Sequence, residues 1–335
     1  MTLSSIGDMR QHLAMTRNTT QLKIRMNTLT DALSSGEIRD KVRAMGGETA
    51  RLDDIDRHLK LADSHLRATV GTAQKLGMTQ QVLGSVDDIR NTLTQAFLPV
   101  SATSTDVERA AAASRARVSV GSILSQLNSR YGDETLLAGN ATDRAAVADE
   151  ATLMADIGAA LAGAVTAQDV IDTIDAYFDT PGGGFETNIY TGDTGGPVER
   201  PIGLNETVRI DARADDPSRR SILGATVMAA VVDAGYVALS GEEESRLIRE
   251  AGTRMLTAAK PLADMRGRLA GAEQLVEEAR VRAQASEAAF TIARNELVAA
   301  DPHETATELQ AVQTQLETHY VLTARLARLS LTEYI

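Results

Sequence analysis

Apolar residues recur at helical spacing over most of the chain and lose that spacing only in its middle. Met15, Leu22, Met26, Leu29 and Leu33 step by sevens, fours and threes, which predicts a helix ending at Ser34-Ser35-Gly36. Gly46-Gly47 marks a second break. The period resumes at Leu52 and passes through Ile55, Leu59, Ala62, Leu66, Ala73, Leu76, Leu83, Val86, Leu93 and Phe97. A stripe sustained over about six heptads predicts a helix about 70 Å long. Pro99 ends it.

Thr105 and Glu108 have capping-box spacing, opening an alanine-rich helix to about Arg130. Towards the other end, Leu262, Met265, Leu269, Ala272, Val276, Ala279, Ala283, Phe290, Ala293 and Leu297 hold the same pattern, with Pro261 expected to set or kink its start. Asp301, Pro302 and Glu304 then read as N-cap, first residue and capping glutamate of a last helix.

The middle is different in kind. Residues 151–163 and 168–178 read as short helices, the second capped by Thr166, followed by a turn at Pro181-Gly182-Gly183-Gly184. Phe185 to Tyr190 and Thr207 to Ala212 read as strands separated by a loop around Gly195-Gly196-Pro197. Asp216-Pro217 starts another helix to about Tyr236, and Ser240 to Glu243 caps the next. The expected fold is mainly α: a long coiled-coil-like helical rod formed by N- and C-terminal segments, with a small inserted α/β lobe. The expected domains are terminal helices (1–40 and 300–335), a rod domain (41–140 and 222–299) and a lobe (141–221).

The last helix becomes more apolar towards its end. Val321, Leu322, Leu326, Leu329, Leu331 and Ile335 cover more than one helical stripe, so the helix needs neighbours around most of its circumference. A hairpin of segments 5–34 and 303–335 has little core of its own, and its ordering is expected to depend on association.

Composition narrows the picture. A length of 335 residues suits two or three domains, and 43% hydrophobic content supports ordinary cores. Aromatics are only 3% and Trp is absent, as suits long helices packed side by side. The formal charge of −12 argues against nucleic acid or an anionic membrane surface as main partner. Cysteine is absent, which excludes disulfides and thiolate–metal sites. The longest apolar run, Ile222 to Val232, is too short to span a bilayer, and Met1 to Gln21 has no signal-type apolar core.

No catalytic constellation survives weighing. Of His12, His58, His65, His303 and His319, only His58 and His65 share a helical face near acidic residues, Asp54 and Asp63. They lie seven apart, whereas ligand pairs on a helix usually lie three or four apart, so solvated or interface roles fit better. The glycines at 182–184 precede a strand-like run and not a helix, so they read as a turn. Glu242-Glu243-Glu244 complements a helix dipole. Asn18, Asn140 and Asn205 fit a glycosylation sequon that is common by chance. There is no nucleophile elbow or Walker loop. The expectation is a non-enzymatic protein without cofactor or metal.

Four stretches carry a family resemblance. The run Glu304-Thr305-Ala306-Thr307-Glu308-Leu309-Gln310 through Gln313-Thr314-Gln315-Leu316-Glu317, and the ending Leu329-Ser330-Leu331-Thr332-Glu333-Tyr334-Ile335, resemble the terminal helix of the flagellin superfamily. The ending is most like that of its hook-associated, hook–filament junction members. Leu33-Ser34-Ser35-Gly36 is similar to the family's break after the first helix, and Leu127-Asn128 through Leu136-Leu137-Ala138-Gly139 to the turn closing its second long helix pair. Glu37 and Ile38 depart from it, standing where the family usually has a basic pair.

The resemblance covers roughly 5–140 and 240–335. It implies a structural component of the bacterial flagellum, extracellular and exported through the flagellar type III route without a cleaved signal. The implied partners are copies of itself in an axial ring, the preceding hook-associated protein, flagellin, and the export machinery with its chaperone. Leu22, Met26, Leu29, Leu316, Leu322, Leu326 and Leu329 are the expected packing contacts in assembly. Two alternatives stand beside this: a filament flagellin, and a cytoplasmic coiled-coil adaptor or chaperone.

Overall fold

The computed structural model describes the backbone of residues 3–44, 46 and 49–332, and the side chains of 10, 13–43, 46 and 49–325. Helix accounts for 73% of it, so the fold is mainly α with a small inserted lobe. The helices are α1 (Leu3–Ser35), α2 (Lys41–Ala44), α3 (Ala50–Phe97), α4 (Asp106–Leu127), α5 (Glu150–Ala160), α6 (Ala167–Phe178), α7 (Pro217–Ala234), α8 (Gly241–Val298) and α9 (Pro302–Thr332). Two antiparallel hairpins complete it: β1 (Arg130–Tyr131) with β2 (Glu134–Thr135), and β3 (Val198–Gly203) with β4 (Glu206–Ile210). The chain divides into two compact units, residues 64–283 and residues 1–63 with 284–335.

The first of these units is built around α7. Every residue from Ile222 to Val231 is buried, because a helix apolar on all sides is stable only when surrounded. Leu76, Leu83, Val86, Leu93 and Phe97 of α3, Ile123, Leu124 and Leu127 of α4, and Leu262, Met265, Leu269, Val276 and Ala279 of α8 share its core. These are the stripes the heptad spacing predicted. Three contacts run α3 antiparallel to α8: Gln80 Nε2 donates to the Arg266 carbonyl at 2.9 Å, Arg90 donates to the Met255 carbonyl at 3.1 Å, and the Gly252 backbone lies against Phe97 and Leu98.

Helix ends follow their local signals. Thr105 and Glu108 form the reciprocal box expected of them, as do Thr166 and Asp169. Asp216 caps α7 with Pro217 in its first turn, and Gly235 closes it in the left-handed region. Ser240 and Glu243 cap α8, while Glu244 pairs with Arg109 at 2.9 Å. Asn128, in the stretch where α4 ends at Leu127, accepts from the amides of Ala146 and Val147 and donates to the Val147 carbonyl.

Three expectations fail. Phe185 to Ile189 is a π-helix and not a strand. Phe185 and Ile189, four apart, are both fully buried while Thr187 between them is exposed; a helical turn gives that pattern, whereas a strand would put all three on one face. Phe185 packs 5.5 Å from the Phe178 ring. The segment taken as the end of a loop, Val198 to Gly203, is the real partner of the second predicted strand, now Glu206–Ile210. Leu204 and Asn205 make its turn, Asn205 at φ 61°. Finally, Pro261 does not start a helix, since α8 runs through it. Loss of the amide hydrogen bond and the ring clash cost about 3 kcal/mol, and continuous burial of Met255, Ala258, Leu262 and Met265 on one face offsets that.

Candidate assembly surface

The unit formed by residues 1–63 and 284–335 carries the terminal helices. Gly36 ends α1 at φ +72°, its amide donating to the Ala32 carbonyl at 2.9 Å. The chain then pairs with the α8–α9 connection: Ile38 donates to the Val298 carbonyl at 2.8 Å, and Ala300 donates to the Gly36 carbonyl at 2.9 Å. Asp301 accepts from the amides of His303 and Glu304, so α9 starts on its predicted cap with Pro302 first, but Glu304, expected as the capping glutamate, does not bond back to the Asp301 amide. These bonds set α9 antiparallel to α1.

Glu37 is the ionic centre of this junction. Its carboxylate takes Arg294 at 2.7 Å and Lys41 at 2.8 Å, and Arg294 also reaches Asp56 at 3.1 Å. Hydrogen bonds from Arg294 and then Lys41 hold its pKa down at about 2, from an ordinary 4.5. The acidic residue that departs from the family pattern therefore has a local purpose. His58 stacks on Phe290 with ring centroids 4.7 Å apart, which places it in packing.

A carboxylate with a depressed folded pKa contributes stability above its unfolded value and loses it as pH falls through the folded one. The Glu37 contribution is thus expected to be whole at pH 5 and to disappear between about 4.5 and 2. Thermal melts of wild type and Glu37→Gln should differ most at neutral pH and converge towards pH 2. A constant gap down to pH 2 would refute the role.

Along α9 the stripe facing α1 is Thr305, Leu309, Val312, Leu316, His319 and Thr323, spaced by threes and fours. It begins buried at Thr305 and Val312 and becomes polar at His319 and Thr323. Of the apolar residues of the same stretch, Val321 (52% exposed) and Leu322 (46%) turn outward, while Tyr320, 48% exposed, stands at the edge of the pair with Lys23 of α1 5.7 Å from its ring centroid. On α1, Leu13 and Ile24 share a face 11 residues apart, and both are more than half exposed.

Leu22, Met26, Leu29 and Leu316, expected as assembly contacts, are half-buried. Leu22, Met26 and Leu29 belong to the α1 stripe already read from sequence, and Leu316 to the inward stripe of α9. Leu322 lies outside on α9, and the side chains of Leu326 and Leu329 lie outside the described set. The structure thus separates the described five into an inward group and an outward one. It adds Tyr320, Ile24 and Leu13 to the exposed apolar set. Ile24 interrupts the predicted α1 stripe between Leu22 and Met26, the one signal that pointed outward.

A scan against protein-family models finds no match, and a search of curated proteins finds none. Among solved structures, the chain aligns with a candidate flagellar hook-associated protein of Vibrio parahaemolyticus at 13% identity and a TM-score of 0.44, covering 74% of this chain and 93% of that one. At this distance the likeness decides neither fold nor role. Among the described residues no helix is long and apolar enough to cross a membrane.

Proposed function

We propose that this chain is a structural subunit of the bacterial flagellum, a hook-associated protein that joins hook to filament through its terminal helices. One observation carries the reading: beyond Leu316, α9 turns the polar His319 and Thr323 inward and the apolar Val321 and Leu322 to solvent. Such a helix is energetically incomplete until other chains cover it. The resemblance of the 304–317 run and of the terminal residues to the flagellin superfamily supplies the identity of those chains.

On this reading the terminal helices pack in an axial ring with copies of the chain. One axial face meets the preceding hook-associated protein and the other presents a template to flagellin. The protein is exported unfolded by the type III route with a chaperone, and its role is adaptation between two lattices. A deletion strain should then build hooks but shed unpolymerised flagellin into the medium, and complementation should restore filaments. Normal filaments in that strain would refute the junction role. Purified protein that grows long filaments alone would assign it to filament flagellin instead.

A further inference from the structure

At the base of the α1–α9 pair lies a cleft of about 300 Å³. Leu29, Ala32 and Ile38 form its apolar part. Its charged lining is four carboxylates, Asp40, Asp301, Glu304 and Glu308, against one guanidinium, Arg39, which is itself paired with Asp31. Asp301 is spent on capping α9, Asp40 accepts from the Arg43 amide, and Glu308 meets Arg25 at 3.2 Å. Glu304 is exposed and has no side-chain partner among the described residues.

The complementary chemistry is at the other end of the same helix. From Pro302 to Glu317, α9 contains three glutamates and no Lys or Arg. From Thr318 to Thr332 it contains Arg325 and Arg328, no Asp or Glu, and leucines at 322, 326, 329 and 331. Helix dipoles favour acids and bases at these ends, but only within the first and last turns. Glu308 and Arg325 lie beyond those turns. Arg325 is exposed, has no ion-pair partner among the described residues, and shares a face with Leu322.

We propose that the cleft of one copy receives the carboxyl-terminal stretch of α9 from a second copy, with Arg325 against Glu304 and the flanking leucines on Leu29, Ala32 and Ile38. This rests on the assembly reading and specifies its contact as head to tail. A heterologous contact of this kind repeats along an axis or around a ring and does not close as a dimer.

The absence of cysteine makes the test direct. Residues 304 and 325 are 21 positions apart on one helix, about 32 Å, so a disulfide between them cannot form within a chain. Glu304→Cys and Arg325→Cys chains are co-expressed, flagella are sheared off, and oxidised protein is run on non-reducing gels. Wild type in parallel reports incorporation. The expected result is a mixed dimer from co-expression and a ladder from the chain bearing both substitutions. Wild type present in flagella without that cross-link overturns the docking while leaving the assembly role intact. Capture of the Glu304→Cys chain by a protein of different mass overturns it by giving the cleft another occupant. Wild type absent from flagella overturns both. In addition, Glu304→Lys should reduce incorporation at least tenfold and be rescued by Arg325→Glu in the same chain, and failure of that rescue overturns the pairing.

Discussion

Deleting residues 317–335 is expected to abolish the proposed incorporation into the flagellum while leaving the rest of the chain folded. Within 317–325 no side chain is buried, and the last buried residue of α9 among those described is Val312. The deletion therefore removes no core contact of the described structure, and the thermal midpoint should fall by less than about 4 °C. What it removes is the outward apolar surface of Val321 and Leu322, the edge contact of Tyr320 with Lys23, and the basic end of the helix. Circular dichroism and limited proteolysis of purified protein report the first half of the prediction. Immunoblots of sheared flagella report the second. Truncated protein that still joins hook to filament would end the assembly account of this helix.

Gly183→Ala is expected to be the most damaging single-methyl change in the lobe. A Cβ at this position would stand 2.6 Å from the Ala176 carbonyl oxygen, 2.7 Å from that of Tyr177 and 2.9 Å from that of Thr180. All three are backbone atoms at the end of α6 and the turn after it, so no side chain can swing aside. The Gly183 amide also donates to the Thr180 carbonyl at 2.9 Å, and its own carbonyl accepts from Thr187. Relief requires moving α6 or the π-helix, whose Phe178 and Phe185 are buried against each other. The cost should be about 3 kcal/mol or more, read as a lower denaturant midpoint in tyrosine near-ultraviolet signal. Gly196→Ala, where a Cβ meets nothing within 4 Å, is the matched control and should leave the midpoint unchanged. Equal midpoints for both variants would refute the steric account.

The lobe is also where residue pattern and structure part company. Phe185, Ile189 and Tyr190 have strand-like composition, and a run of about six residues is too short for its period to separate one helical turn from a strand. Burial of Phe185 and Ile189 with Thr187 left exposed between them, and the packing of Phe185 on Phe178, decided it. The hairpin was half visible: the 207–212 segment read as a strand, but Arg200 and Pro201 hid its partner. That partner is held by Arg200 to Glu134, which also takes Lys75 at 2.7 Å, a hydrogen bond that lowers its pKa. Pairs separated by 66 and 59 residues leave no local trace.

The assembly surface was partly legible. Met15, Leu22, Met26 and Leu29 of the α1 stripe are half-buried as their spacing predicts, whereas Leu33 of the same stripe is exposed. The excess of apolar residues at the end of α9 showed that one neighbour would not suffice. Spacing could not say which of those residues face α1, because residues 320 to 323 offer candidates on every side.

Local rules of short range were enough for the helices, their caps at Thr105, Thr166, Asp216, Ser240 and Asp301, and the mainly α class. Heptad spacing and capping act within about four or seven residues, a distance the chain order preserves. Only the tertiary structure decided the course of α8 through Pro261, the π-helix, the partner of β4, the Glu37–Arg294–Asp56 cluster and the outward turn of Val321 and Leu322. The Glu37–Arg294–Asp56 cluster joins residues 257 and 238 positions apart, and in the other cases burial outweighs the local preference.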